Sequence, residues 1–223
     1  MWGIRMSHCI LCQNEYQFNI IRKKFPGKTV IKITNPVLLD KNAANLSMKN
    51  RNYIAWIGIF QYQKNIKLLY TIAHLLKREK FLVAGKEIRN CDEETLNYLE
   101  KLKQLPNVEF IGFLKRDQVL SFLSEAKYLL NTSHYEGFSN TFLEAMLVGT
   151  PILTSQLVNP DSIISNHDLG VVYNDAEDLM NKYCAVNPEQ YSQMSENVKK
   201  YVVHQHDYKV LSRRLVELLA VYD

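Results

Sequence analysis

From Tyr53 onward, short and continuously apolar runs alternate with amphipathic segments, and this alternation constrains the fold more than any other feature. Runs such as YIAWIG and FLVAG have no polar alternate positions, so both of their faces must be buried. Strands of this kind, separated by helices, indicate an α/β fold with a parallel sheet covered on both faces. Strands are predicted at 53–58, 81–85, 108–112, 128–133, 151–155 and 170–173, and helices at 65–79, 92–105, 116–126, from about 141, and at 176–184, 188–203 and 208–222.

The predicted sheet also indicates where a ligand would bind. Ligands of open parallel sheets lie beyond the carboxyl ends of the strands, near the point where the strand order reverses. The loops that follow Ile57, Ala84, Ile111 and Thr132 are therefore the candidate positions for a site.

The first fifty residues have a different pattern. HCILCQ, EYQFNIIRKKF and KTVIKIT predict one strand–helix–strand unit, and the aperiodic polar segment NPVLLDKNAANLSMKNRN after it is interpreted as a linker. A unit of this size cannot bury a core of its own. It must either dock on the main domain or be the remnant of a second, larger domain.

Composition excludes several classes of function. The 223 residues are 47% hydrophobic and 22% charged, which is ordinary for a soluble globular protein. Lys and Arg number 27 against 23 Asp and Glu, and the formal charge of +4 suits a phosphate-bearing ligand but is too small to indicate nucleic acid as a partner. The sequence has no apolar stretch of signal-peptide type and none long enough to cross a bilayer, which favours a cytoplasmic location.

Two short patterns suggest metal or redox chemistry, but each has a simpler explanation. Cys9 and Cys12 form a CxxC motif within a predicted strand, where residues three apart point to opposite faces, and no second CxxC completes a zinc site. We therefore predict buried free thiols. The HQHD run at 204–207 precedes a predicted helix and is interpreted as surface-exposed.

The stretch HYEGFSNTFLEAMLVGTPILTS, residues 134–155, carries the chemistry. If a strand ends near Thr132 and a helix begins near Thr141, backbone N–H groups and the helix dipole form a site for an anion such as a phosphate. Glu136 lies before this helix and Glu144 lies one turn into it. A phosphate site flanked by two carboxylates that can bind hydroxyl groups is what a nucleotide sugar requires.

A purely structural explanation fits the same residues. The segment from Thr141 to Glu144 has the spacing of a capping box, in which the glutamate only caps the helix backbone at Thr141. Gly149 and Pro151 would then be ordinary signals for the end of a helix and the start of a strand. Spacing alone does not decide between the two.

The stretch closely resembles the E-x7-E signature of the retaining glycosyltransferases of family 4, which have the two-domain GT-B fold. EGF, LEAM and GTPI stand at the family's positions in addition to the two glutamates. Further segments that match in the family's order are ITNPV, WIGIFQYQKNIKLL, FLVAG, NVEFIGFL and HDLGVVYNDAEDL. The resemblance implies four parts: 1–36 as the remnant of the N-terminal acceptor domain, 37–52 as a linker, 53–206 as a Rossmann-like nucleotide-sugar-binding domain, and 207–223 as a helix that packs back toward the N-terminal part.

The resemblance implies a role for each matched residue. Glu136 would lie beside the transferred sugar, and Lys64 would neutralise the diphosphate and assist its departure. Glu144 would bind the ribose hydroxyls, and the loop 111–114 would lie beside the base. The donor site implied in full comprises Gly58, Lys64, Ile111, Phe113, Gly137, Phe138, Ser139, Asn140, Thr141 and Glu144. The donor would be a UDP-sugar by default, with GDP and ADP as alternatives, and neither a metal nor another cofactor is expected.

Two departures from the family pattern affect this interpretation. The family usually has an arginine directly after the glycine at Gly58, where this sequence has Ile59, so one of two expected cations is missing; Lys115 and Arg116 are candidates to compensate. The chain also begins where the acceptor domain would nearly be over. It would then bind the donor but transfer a sugar poorly, because a saccharide or lipid-linked acceptor would need the missing domain.

Other functions remain open at this stage. A non-catalytic module that binds a nucleotide sugar or a partner subunit is the main alternative, and a GT-B sugar-nucleotide epimerase is a weaker one. A dehydrogenase is disfavoured because no G-x-G-x-x-G follows a strand. Basic residues at 22–24 and 28 could contact anionic lipid peripherally, although a solvated helix end is the preferred explanation.

Overall fold

A computed structural model describes residues 2–39, 51–88 and 91–220. The first part contains α1 (Trp2–Met6), β1 (Cys9–Cys12), α2 (Glu15–Lys24) and β2 (Thr29–Lys32). The main part contains β3 (Tyr53–Phe60), α3 (Ile66–Leu75), β4 (Lys80–Glu87), α4 (Glu93–Lys103), β5 (Val108–Gly112), α5 (Arg116–Ser124), β6 (Ala126–Asn131), α6 (Asn140–Leu147), β7 (Ile152–Ser155), α7 (Ile163–Asn166), β8 (Gly170–Tyr173), α8 (Ala176–Ala185), α9 (Pro188–His206) and α10 (Tyr208–Ala220), with 3-10 turns at Tyr62–Lys64, Gln156–Val158 and Pro160–Ser162.

Six strands form one parallel sheet in the order β5-β4-β3-β6-β7-β8. The chain builds outward from β3 to β5 and then returns to place β6 on the other side of β3. The order therefore reverses between β3 and β6, and the loops after these two strands meet at the carboxyl edge of the sheet. The predicted α/β fold with a helix-covered parallel sheet is confirmed.

Helices pack on both faces of the sheet, and the side chains of β3 alternate between the two hydrophobic cores that result. Ile54, Trp56 and Phe60 belong to one cluster, which α3, α4 and α8 complete with residues such as Leu69, Leu99, Leu102 and Leu179. Tyr53 and Ala55 belong to the other, which α5, α6 and α9 complete with residues such as Leu123, Phe142, Val198 and Val202. The first four residues of β3 are buried on both faces, and this explains the continuously apolar run at its start.

The N-terminal strand–helix–strand unit docks on the loop that follows β6. Its strands β1 and β2 pair in parallel and form a separate two-stranded sheet. The side-chain amide of Asn14 donates to the carbonyl of Gly137 over 2.8 Å, and the amide of Glu15 donates to Asp161 over 2.7 Å. Lys32 forms ion pairs with both Glu15 and Asp161. The predicted unit therefore exists, and it contacts the segment that the sequence singles out.

The structure corrects the interpretation of the HQHD run. His204 is exposed, but His206 is fully buried at the end of α9, which extends three residues beyond its predicted end. The His206 ring packs against Phe138 and Tyr201, and its Nδ1 lies 2.8 Å from the carbonyl oxygen of Asn35. The prediction therefore holds for His204 and Gln205 but is wrong for His206, because the chain between β2 and β3 crosses over the last turn of α9.

Several other expectations have mixed outcomes. Strands β3 and β4 extend to Phe60 and Glu87, two residues beyond their predicted ends, and most of the predicted linker, residues 40–50, lies outside the described residues. All four cysteines are free, yet only Cys12 is buried. Within the described ranges, no three His, Cys, Asp or Glu residues lie together as metal ligands. The helices of the described parts include none that is both long and apolar enough to cross a membrane.

We predict that Leu69→Ala reduces the free energy of unfolding by about 2–5 kcal/mol, because Leu69 is completely buried between α3 and the sheet. The loss should lower the melting temperature by roughly 2–4 °C for each kcal/mol. Leu96→Ala on α4 is the matched control, since Leu96 is 42% exposed. Equal effects of the two substitutions in calorimetry would contradict the described core.

Candidate functional site

A lysine and a glutamate meet where the strand order reverses. Lys64 ends the 3-10 turn after β3, and Glu136 lies in the loop after the neighbouring strand β6. Lys64 Nζ is 2.5 Å from Glu136 Oε1, and the side chains are only 19% and 8% exposed. A buried ion pair is costly to desolvate and is not itself strong evidence for stability. Its position at the switch point instead marks it as a candidate functional group.

Buried hydrogen bonds fix the position of Lys64. The Trp56 indole Nε1 donates to Thr132 Oγ1 over 3.0 Å, and Thr132 Oγ1 donates in turn to the carbonyl of Lys64 over 2.7 Å. The His134 amide donates to the carbonyl of Gln63 over 2.8 Å. These bonds connect the turn after β3 to the loop after β6. The backbone that carries the lysine is therefore held by the loop that carries the glutamate.

The carboxylate of Glu136 is held ionised inside the protein. Its Oε1 accepts hydrogen bonds from Lys64, from Ser133 Oγ at 2.7 Å and from Asn131 Nδ2 at 3.2 Å. Burial by itself raises the pKa of Glu136, but the charge of Lys64 and the hydrogen bonds from Lys64, Ser133 and Ser139 outweigh it and hold the pKa below its usual value. Glu136 is therefore an anion, poised beside a cation, at neutral pH.

Helix α6 begins one residue earlier than predicted, and this excludes the capping-box explanation. Ser139 is the N-cap residue, so Thr141 is already the second residue inside the helix. The Ser139 hydroxyl bonds Thr141 Oγ1 at 2.7 Å instead of capping the first turn. Phe142 occupies the third helical position, where a capping box needs its glutamate, and Glu144 comes two residues later. The N-terminus of α6 opens toward the site with its backbone amides available to an anion.

Two adjoining cavities lie at this edge of the sheet. The first, of about 380 Å³, lies between the ends of β3 and β4 and the start of α6; among the predicted residues it is lined by Gly58, Lys64, Phe113, Glu136, Phe138, Ser139, Asn140 and Thr141. The second, of about 670 Å³, contains Glu144 and Arg116. Phe113, Leu114 and Asn140 line both cavities. A ligand can therefore extend from Lys64 to Glu144.

Glu144 is a partly buried carboxylate that lacks a hydrogen-bond donor among the residues described. Burial raises its pKa, and the charge of Arg116 lowers it by a smaller amount. A buried acceptor without a hydrogen-bond donor costs free energy, and a ligand hydroxyl that donates to it would remove that cost. The second cavity is therefore suited to a group that carries hydroxyls.

Some predicted residues do not reach the cavities. Ile111 lies within β5 and lines neither cavity; Phe113, just beyond the strand, is 63% exposed and lines both. Gly137 also lines neither, because it faces the N-terminal unit: a Cβ there would come within 2.8 Å of Gln13 and Gln17. Gly58 lines the first cavity, and a Cβ there would come within 2.8 Å of the Trp56 ring.

Sequence reasoning missed the residues that support the ion pair. Asn131, Thr132 and Ser133 contact Glu136 or Lys64, yet they appeared only as the end of a predicted strand. A signal was present, since three consecutive polar residues end an otherwise apolar run. Asn35 was also missed: its side-chain amide donates to Asn140 Oδ1 over 3.0 Å at the start of α6.

We predict that protonation of Glu136 contributes to the loss of unfolding free energy at acid pH. Its folded pKa is lowered, so its contribution is complete above the unfolded pKa of about 4.3 and is lost as pH falls through the folded pKa. Urea unfolding between about pH 6 and pH 3 should therefore show a steeper loss of unfolding free energy for the wild type than for Glu136→Gln. Parallel pH profiles of the two proteins would show that the carboxylate is not held ionised by Lys64.

Comparisons with known proteins identify the family of this chain. Residues 40–201 match the family model described as glycosyl transferases group 1. A relative from Klebsiella pneumoniae, an uncharacterised 41.2 kDa protein of the cps region, is 24% identical over 182 residues, which are 76% of this chain and 49% of that protein. A glycosyltransferase 1 domain-containing protein from Xenopus tropicalis is 28% identical over 130 residues, 57% of this chain and 35% of that protein. The chain thus spans about half, or less, of these relatives.

Solved structures share the fold at low sequence identity. The sucrose-phosphate synthase from Thermosynechococcus elongatus superposes with a TM-score of 0.77 at 17% identity, covering 98% of this chain and 59% of that one. The match to the family model covers most of the chain and includes β3, α6 and the loop between β6 and α6. The chain therefore belongs to the glycosyl transferases group 1 family, and its main domain has the architecture of a GT-B glycosyltransferase domain.

Proposed function

We propose that this chain is the donor-binding part of a retaining glycosyltransferase of family 4, which transfers a hexosyl group from a nucleoside diphosphate sugar. The observation that carries the proposal is the buried pair of Lys64 and Glu136 beside the open N-terminus of α6, with Glu144 in the adjoining cavity. A cation and free backbone amides suit a diphosphate, and the separate carboxylates suit the hydroxyls on either side of it.

The donor would lie across both cavities. Its diphosphate would accept hydrogen bonds from the amides at Ser139, Asn140 and Thr141 and face Lys64. Its ribose hydroxyls would donate to Glu144, and the transferred sugar would lie beside Glu136. Phe113, exposed where the two cavities meet, offers a face on which the base can stack. This arrangement uses each polar group for a part of the ligand that it can satisfy.

UDP is the first choice of nucleotide. Several structures of the same fold hold UDP, including one of an Anabaena protein with UDP and glucose and one of a pneumococcal transferase with UDP and GlcNAc. Lys64 would balance the diphosphate charge in place of a divalent cation, since the sequence contains no Asp-x-Asp motif. The four free cysteines fit a reducing compartment, so we place the reaction in the cytoplasm.

Retention of configuration follows if the acceptor approaches from the side on which the diphosphate departs. The bond from the anomeric carbon to the phosphate oxygen breaks, the bond to the acceptor oxygen forms on the same face, and the acceptor proton passes to the departing phosphate oxygen. Lys64 stabilises the charge that grows on the leaving group, and Glu136 stabilises the positive charge that grows on the sugar. Because Lys64 begins paired with Glu136, a diphosphate would compete with the carboxylate for its ammonium group.

The acceptor would bind elsewhere. Both cavities are occupied by the donor in this arrangement, and the curated relatives are longer than this chain. We propose that a further domain, on the same chain or on another, brings a saccharide or lipid-linked acceptor to Glu136. The described residues by themselves would bind the donor and transfer little.

A non-catalytic role is the second candidate, and Ile59 favours it. This apolar side chain lines the first cavity, which would hold the diphosphate and is called the diphosphate cavity below. It stands at the position where the family usually has a cation. A module that only binds a nucleotide sugar could tolerate weaker neutralisation of the leaving group. In that case substitution of Glu136 would leave the biological role intact.

We expect a panel of UDP, GDP, ADP and their sugars to identify the donor through thermal stability. A ligand at one hundred times its Kd adds about 2.7 kcal/mol, which for a chain of this size raises the melting temperature by roughly 5–10 °C. Glu144→Gln is the control: it removes a carboxylate that burial disfavours, so the free protein should be slightly more stable at neutral pH while the ligand shift is lost. An undiminished shift in this variant would contradict the ribose contact.

We also expect a product with the anomeric configuration of the donor when the chain acts together with its acceptor-binding part. Proton NMR of the product formed from an α-linked nucleotide sugar should show an α-linkage. Glu136→Ala should reduce kcat by about 10²–10³-fold, as for loss of one group that stabilises the transition state, with a smaller change in nucleotide affinity. A β-linked product would contradict the retaining mechanism, and full transfer by Glu136→Ala would contradict the role of the carboxylate.

A further inference from the structure

The diphosphate cavity lacks positive charge if only its lining is considered. Among the described residues that line it, Lys64 is the one cation, and its charge is already balanced by Glu136 at 2.5 Å. Ile59 contributes a 39% exposed aliphatic side chain where a second cation is usual. A diphosphate carries at least two negative charges, so this part of the site would be undercharged without another contribution.

Lys86 lies on the neighbouring strand β4, next to residues that line this cavity, although it lines neither cavity itself. In the parallel pairing of β3 with β4, Ile59 lies directly opposite Lys86. Paired residues of adjacent strands point to the same side of a sheet, so the lysine emerges on the side on which Ile59 lines the cavity. Ala84 and Gly85, the residues just before Lys86, also line it.

The ammonium group of Lys86 lies over an aromatic ring that borders both cavities. Its Nζ lies 5.0 Å from the centre of the Phe113 ring, and Phe113 lines both cavities. Lys80 at the start of the same strand is paired with Glu109 at 2.8 Å, whereas Lys86 forms no ion pair within the described part of the chain. A contact with an aromatic face positions an ammonium group without neutralising its charge.

We propose that Lys86 is a second diphosphate-binding cation, which replaces from β4 the charge that Ile59 omits from β3. The proposal rests on the proposed function, since it requires a nucleoside diphosphate in the cavity. It assigns to Lys86 the binding of the diphosphate, while Lys64 remains beside the bond that breaks. The Arg116 side chain lies instead in the second cavity, near Glu144. Lys86 thus differs from the two compensating residues that the sequence suggested.

The test compares a nucleoside diphosphate with its nucleoside by isothermal titration calorimetry. UDP and uridine are titrated into the wild type, Lys86→Met, Lys86→Arg and Lys80→Met. Lys86→Met should weaken UDP binding by about five- to tenfold, as expected for one partly exposed charge-assisted contact, and should leave uridine binding unchanged. Lys86→Arg and Lys80→Met should bind UDP as the wild type does. The loss should shrink as salt is raised, because exposed charges are screened.

A double variant tests directly whether a cation on β3 can replace the cation on β4. Adding Ile59→Arg to Lys86→Met returns a cation to β3, and UDP affinity should recover while uridine affinity stays the same. If Lys86→Met binds UDP like the wild type, or loses UDP and uridine equally, the proposal for Lys86 is wrong although the donor site stands. If the wild type binds none of UDP, GDP and ADP, the proposed function fails, and the role of Lys86 fails with it.

Discussion

The buried contact between Lys64 and Glu136 is the interaction on which the rest of the site depends. Loss of one partner would leave the other as an uncompensated charge in a dry environment, which typically costs 3–5 kcal/mol. The surrounding bonds from Asn131, Thr132 and Ser133 show how the fold supports the pair, since they come from the strand adjacent to the one that leads to the lysine. The reversal in strand order places β6 beside β3, so the polar residues at the end of β6 can bond both Glu136 and the turn that carries Lys64.

The two glutamates at the edge of the sheet have opposite electrostatic environments. Glu136 is stabilised as an anion by a partner inside the protein, whereas burial disfavours the charge of Glu144 and no described residue donates a hydrogen bond to it. The first arrangement keeps a charged group ready, and the second reserves hydrogen-bonding capacity for a ligand. Glu136 is therefore stabilised as an anion before a ligand binds. The buried charge of Glu144 instead lowers the stability of the free protein, as is common for groups that await a ligand.

The N-terminal unit and the end of α9 hold the loop between β6 and α6 from outside the cavities. Asn14 bonds the carbonyl of Gly137, Asn35 bonds Asn140, and buried His206 packs against Phe138. These contacts connect the segment before β3 to the start of α6, which lines both cavities. A movement of the N-terminal unit would therefore displace that loop, and in the proposed function the donor binds there.

The sequence by itself determined the sheet, its helices and the position of the key loop, because short apolar runs that alternate with amphipathic segments are typical of strands buried on both faces. It also singled out Glu136 from a local motif and Lys64 from the family resemblance, and the structure brings these two side chains together. Only the tertiary structure excluded the helix cap, since this depends on whether Ser139 or Thr141 is the N-cap residue. It alone placed His206 in the interior and Lys86 opposite Ile59, because burial and strand register arise from contacts between residues distant in sequence.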